Sequence, residues 1–198
     1  MGLPVEVAIR RLSATEPYPR LFPAAFGQQP SATGLAQALA SYVRTILAGN
    51  SPYDRYVHGS SDSLSKPARR GLRVFATKAR CANCHLGPNL TDEEFHNTGV
   101  AWINGEPTDE GRFAVTGVPE DLGAFKTPTL RQVAQTAPYM HDGRLRTLAE
   151  VVEFYDRGGG HGNPWLDSGI QPLDLTPQEK EDLIEFLRAL TGTVREGW

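Results

Sequence analysis

The sequence predicts a mostly α-helical domain with long loops, and three observations predict it. Apolar residues recur at helical spacing in separate stretches at residues 35–48, from Ser65 toward Cys81, at 147–157 and at 177–191. Two of those stretches open on a capping-box pattern, Thr147…Glu150 and Thr176…Glu179. The span 86–144 shows little helical periodicity and is rich in Gly, Pro, Thr, Asn and Asp. A loop that long inside a compact domain is expected to wrap a site or a ligand.

Each element follows from its residues. Residues 1–60 read as an N-terminal helical segment. Within it LAQALASYVRTILA (35–48) puts Leu35, Leu39, Val43, Ile46 and Leu47 on one helical stripe. Ser65–Lys66–Pro67 opens the next helix, with Leu72 and Phe75 facing inward as it runs toward Cys81. RFAVT (112–116) is expected as a short strand. The helix from Thr147 carries Leu148, Val151, Val152 and Tyr155 on one face, and Gly158, Gly159 and Gly160 stop it. The last helix has Pro177 at its first position and a stripe of Leu183, Ile184, Leu187 and Leu190, with Gly192 ending it. The domain reading is therefore a helical segment over 1–60 and a second domain over 61–198.

Bulk properties exclude several functions. A chain of 198 residues, 39% hydrophobic, can bury one good core. Its net charge of −3 lacks the basic footprint of a nucleic-acid binder. No apolar run approaches the ~20 residues of a membrane span. Glu6, Arg10 and Arg11 interrupt the N-terminus, so no export signal is read there. Pro4 and Glu6 likewise fit a myristoylation motif poorly.

The two cysteines stand three apart in CANCH (81–85). Zinc would need two more ligands at suitable spacing, and a redox dithiol would need a thioredoxin-like context. The pattern is instead that of c-type haem attachment: the Cys81 and Cys84 thiols add to the two vinyl groups and His85 reaches the iron. The second axial position decides what such a haem does. Met140, the one methionine besides Met1, is the first candidate by sequence logic, 55 residues after His85. Tyr155 on its capped helix is the next, since a phenolate also ligates ferric haem. His141 and His96 are weaker candidates, and His58 and His161 read as surface residues. Arg69, Arg70, Arg73, Lys78 and Arg80 form a basic cluster ahead of the motif, read as a solvated helix face or as a dock for an acidic electron donor.

Together SPYDRYVHG, RRGLRVFATKARCANCHLGPNLTDEEFHNTGV, DEGRFAVTGV, FKTPTLRQVAQTAPYMHDGRLRTLAEVVEFYDRGG and LTPQEKEDLIEFLRALTG resemble the C-terminal half of bacterial di-haem cytochrome c peroxidases, and more closely their MauG-like branch. The resemblance covers nearly the whole chain. It implies a cytochrome-c-like haem domain whose long loops wrap the haem, preceded by helices. It implies an electron-handling haem c working with a second, peroxide-reactive haem. Counting forward from APYMHDG, it places the far iron ligand at Tyr155 rather than Met140. It implies a Ca²⁺ site using the carbonyls of Thr136 and Pro138, and gives Arg131 and Arg112 to the haem propionates. The implied partners are an electron-donor protein (a small cytochrome or cupredoxin) or a protein substrate, with a homodimer a further expectation; the implied location is the periplasm.

The chain departs from the family pattern in holding one CxxCH. The first haem domain and its peroxide-site glutamate would precede Met1. Trp102, Trp165 and Trp198 do not match the family's inter-haem tryptophan. The expectation is thus half of a di-haem protein, with a stand-alone mono-haem electron carrier as the alternative.

Overall fold

A computed structural model describes residues 3–195; Met1 and Trp198, both named above, lie outside them. Eight α-helices are described: α1 (Val5–Ala14), α2 (Tyr18–Phe26), α3 (Ala32–Thr45), α4 (Pro52–Val57), α5 (Lys66–Ala76), α6 (Phe113–Thr116), α7 (Leu148–Asp156) and α8 (Pro177–Arg188). Six strands of two or three residues accompany them: β1 (Leu47–Gly49), β2 (Phe95–His96), β3 (Trp102–Ile103), β4 (Glu106–Pro107), β5 (Phe125–Lys126) and β6 (Thr193–Arg195). The fold is mostly α, as expected.

The helix starts are set by local chemistry. Ser65 caps α5 by accepting from the Ala68 amide at 3.2 Å. Both predicted capping boxes form, with Thr147 and Glu150 at α7 and Thr176 and Glu179 at α8. A third, Ser51 with Asp54, opens α4. The α7 helix ends at Asp156, just ahead of Gly158–Gly160.

Ala48–Thr193 form one compact unit. Its core gathers Phe75 and Ala79 of α5, Leu148 and Val152 of α7, and Leu183, Phe186 and Leu187 of α8. Phe186 is fully buried, with the Phe75 ring 5.0 Å away and Tyr53 edge-on at 5.5 Å. The α5–α8 contact is closer than side chains usually allow. A Cβ on Gly71 would land on the Asp182 carbonyl oxygen, so only glycine fits there. Beside it Arg70 grips the buried Asp182 with two hydrogen bonds of 2.6 Å.

Residues through Leu47, with Val194 and Arg195, form the other unit. There α1 packs on α2 and α3, and Phe22 lies 5.6 Å from Phe26. The predicted stripe of α3 is not a core face: Leu39 is 57% and Val43 62% exposed.

Three expectations are corrected. Residues 112–116 are not a strand: Phe113–Thr116 make one helical turn, closed by Gly117 at φ 66° and tied by Thr116 Oγ to Asp121 at 2.6 Å. A single turn ended by a left-handed glycine outweighs the β-propensity of Val and Thr. The α3 helix spans 32–45 rather than 35–48, because Ser31 caps its start by accepting from the Gly34 amide. Finally, residues 48–60 pack with the larger unit rather than with the N-terminal segment, held by Tyr53 on Phe186 and Asp54 on Arg131.

Candidate haem site

The α5 helix ends at Ala76, and Arg80 at φ 55° turns the chain into a short 3₁₀ turn over Cys81–Asn83. That turn delivers CANCH to the wall of a cavity of about 440 Å³. The volume falls within the roughly 300–1,000 Å³ of small-molecule and cofactor sites. The cavity lies between α5, α7 and α8, lined by Phe75, Val152 and Leu187 among others. Residues of the 86–144 span close the rest of it, from His96 to His141. Cys81, Cys84, His85, Met140 and Tyr155 all line this one cavity, although the last two are 55 and 70 residues beyond His85.

His85 is prepared to bind a metal. Its Nδ1 lies 3.0 Å from the Leu90 carbonyl oxygen, which can only accept, so Nδ1 carries the proton and Nε2 keeps its lone pair. Burial lowers the ring's pKa and outweighs that hydrogen bond, so the ring is neutral near pH 7. The cysteines are free thiols. Burial pushes Cys81 up to about 12, and burial with the charges of Asp92 and Asp167 raises Cys84. Reactive redox cysteines have depressed values instead, so the pair does not have the character of a dithiol centre. An apolar cavity, two thiols three residues apart on its rim and a neutral imidazole aimed by a backbone bond fit a covalently held haem c.

In the same cavity, Tyr155 stands on α7 and Met140 on a tight loop, at φ 72°, between the bridged residues Tyr139 and Leu145. Burial raises the Tyr155 phenol above its ordinary range, the charges of Cys81 and Cys84 adding to it. It therefore keeps its proton unless a cation offsets that cost. A capped helix holds a ligand more rigidly than a loop tip does.

The arginines are placed elsewhere. Arg131 makes a two-pronged pair with Asp54, at 2.9 and 3.0 Å, and also donates to the Pro88 carbonyl. Arg112 pairs with Asp121 at 3.3 Å and stacks 4.0 Å over the Phe95 ring. Neither lines the cavity, because their guanidinium groups hold loops together. The basic cluster is likewise engaged: Arg70 with Asp182, and Lys78 with Glu179 at 2.7 Å. Thr136 and Pro138 do line the cavity, and neither carbonyl accepts a hydrogen bond among the described residues. His58 and His161 are exposed, as expected. His141 stacks on Phe125 at 3.7 Å on the cavity wall. The sequence reading missed one group. His96, a weaker iron candidate also expected as a satisfied loop histidine, is bonded at both nitrogens, to Asp167 and to Asp92; Asp92, four residues earlier, signals that pairing in the sequence.

Known proteins resemble this chain in sequence and in fold. Residues 1–62 match the family model described as di-haem cytochrome c peroxidase. Cytochrome-c peroxidase IdrP1 of Pseudomonas sp. (strain SCT) is 37% identical over 211 residues, covering 91% of this chain and 55% of its own. Methylamine utilization protein MauG of Methylorubrum extorquens is 36% identical over 192 residues, covering 96% of this chain and 54% of its own. The chain belongs to the MauG-like di-haem cytochrome c peroxidase family. The family's fold is present too. The crystal structure of a MauG-like protein associated with microbial copper homeostasis superposes with a TM-score of 0.77 at 34% identity, covering 95% of this chain and 62% of that one. The di-haem peroxidase BthA from Burkholderia thailandensis, 22% identical with a TM-score of 0.69, shares the fold. The chain spans about half the length of the curated relatives it matches. Among the described residues no helix is long and apolar enough to cross a membrane.

Proposed function

We propose that this chain is the electron-handling, C-terminal haem c half of an H₂O₂-dependent oxidoreductase of the MauG-like family. The observation that carries the proposal is the single cavity that unites Cys81, Cys84, His85 and Tyr155. Cys81 and Cys84 would hold one haem c as thioethers, and His85 Nε2 and the Tyr155 oxygen would bind its iron. Bound there, the haem supplies one-electron exchange. The residues around it fix its orientation, exclude water with apolar walls and keep the His85 proton on Nδ1. An oxygen ligand favours higher iron oxidation states than a thioether does, which suits a peroxide-driven partner centre. In the family that centre and its acid–base carboxylate belong to the other haem half.

The remaining assignments belong to the same reading. The open Thr136 and Pro138 carbonyls bind Ca²⁺ weakly, as two of the six to eight oxygen ligands that this ion takes. The electron donor is a small cytochrome or cupredoxin, or the reductant is a protein substrate. The compartment is the periplasm, where relatives of this type mature their haem.

Two measurements test the function. Haem retained by the protein through denaturing electrophoresis, and lost in Cys81→Ala/Cys84→Ala, is the expected result; no covalent haem would overturn it. The loaded chain is then mixed with H₂O₂ and a reduced donor. We expect electron exchange with the donor but no sustained turnover, and sustained peroxidase activity from this chain alone would refute the division of labour.

A further inference from the structure

His96 on β2 lines the haem cavity between two carboxylates. Its Nδ1 is 2.6 Å from Asp167 Oδ2 and its Nε2 is 3.0 Å from Asp92 Oδ2. Ionised carboxylates only accept, so both ring nitrogens donate and the ring is an imidazolium. It follows that His96 has no lone pair for a metal, which removes it as an iron ligand.

Both carboxylates are held from behind. Asp167 Oδ1 accepts from the Gly169 amide at 2.8 Å, and the Asp167 amide donates to the Asn97 carbonyl at 2.9 Å. Asp92 Oδ1 accepts from the Glu94 amide at 3.0 Å, and the Asp92 amide donates to the Cys84 carbonyl at 2.8 Å. The side chains of His96, Asp92 and Asp167 are 25%, 15% and 32% exposed, so water screens them incompletely. The ligand atoms of Cys84, Asp92 and His96 lie within 4.8 Å of one another. That spacing also suits a cation, but both His96 nitrogens carry protons and the Cys84 sulfur is the haem attachment point.

We propose that Asp92, His96 and Asp167 form a fixed charge cluster that tunes the reduction potential of the haem held at Cys84. The imidazolium offsets one carboxylate, so the wall beside the attachment edge carries one net negative charge rather than two. Burial alone would lower the His96 pKa, but the hydrogen bonds and charges of Asp167 and Asp92 outweigh it and raise the value. The inference rests on the haem reading above. These are positioning residues for charge and touch no reacting atom.

The test is potentiometric titration of the holo-protein beside His96→Gln, Asp167→Asn and Asp92→Asn. Removing the His96 charge leaves two carboxylates and stabilises ferric iron, so the potential falls. Neutralising either aspartate leaves no net charge, so the potential rises. Each change is expected to move the ferric-to-ferrous ratio at a fixed applied potential on the order of tenfold. Shifts of one sign in all three variants, as from a loosened cavity, or no shift in a folded aspartate variant, would overturn the inference. Covalent haem content, measured by pyridine haemochrome on every sample, reads the underlying assignment separately. Wild-type protein without haem sinks that assignment, whereas full haem with unmoved potentials sinks only the charge cluster.

Discussion

At the His85 ring one backbone hydrogen bond selects the free nitrogen, and in the same cavity one phenol stands where a thioether is the competitor. The residue scale is where these alternatives separate. In the ferric holo-protein, Tyr155→Phe is expected to abolish the oxygen-ligated, low-spin absorption and EPR spectra. Met140→Leu is expected to leave them unchanged. A methionine-type charge-transfer band that survives Tyr155→Phe and vanishes in Met140→Leu would give the site to Met140. The sequence showed Cys81, Cys84 and His85 outright, since attachment chemistry fixes their spacing. It could not choose between Met140 and Tyr155 from spacing, because both enter the cavity over connections whose path depends on tertiary packing. The APYMHDG resemblance chose Tyr155, and the rigid α7 position supports that choice.

At the scale of elements, the close α5–α8 crossing positions CANCH. Gly71→Ala must push α8 away from α5, and we expect a loss of about 3 kcal/mol in chemical denaturation, as for overpacked core sites. Equal stability of the variant would show that the crossing relaxes freely. The Asp54–Arg131 pair ties α4 to the loop before α7. Burial would raise the Asp54 carboxyl, but hydrogen bonds from Arg131 and Ser51 outweigh it and hold the pKa at about 2, below its ordinary 3.8. Because the folded value is the lower one, the stabilisation is complete above pH 3.8 and disappears as pH falls toward 2. Asp54→Asn should therefore be less stable than wild type at pH 7, by about 1–3 kcal/mol, with the gap closing at pH 2. A gap that is constant with pH would mean the pair contributes nothing electrostatic. The starts of α5, α7 and α8 were legible because their caps are local. The 112–116 turn was not, because its sequence suits a strand and only Asp121 and Gly117 decide otherwise.

On the scale of the whole molecule, the α3 helix exposes Leu39, Tyr42, Val43 and Ile46 within its own unit. Apolar residues at this spacing form a stripe that invites association. Sedimentation is expected to show concentration-dependent self-association of the isolated chain, abolished by Val43→Glu. A monomer at all concentrations would remove the homodimer from its partners. Calcium belongs to this scale as well, since two loop carbonyls cannot complete its shell. Chelation is expected to leave the spectrum of this chain unchanged, and a spectral change on chelation would show a fuller site than Thr136 and Pro138 supply.

The sequence by itself determined the helical class, the starts of α5, α7 and α8 and the haem-attachment pattern, because caps and CxxCH act over a few residues. Its family likeness extended over nearly the whole chain and points to Tyr155 as the far ligand. Only the tertiary structure decided which distant side chains share the cavity, that Arg131 and Arg112 hold loops instead of facing it, and that His96 is locked between Asp92 and Asp167. Those outcomes depend on contacts between residues from 4 to 77 positions apart. Ion pairs of that kind form wherever packing brings charges together, and apart from the i, i+4 spacing of Asp92 and His96 no local pattern records them.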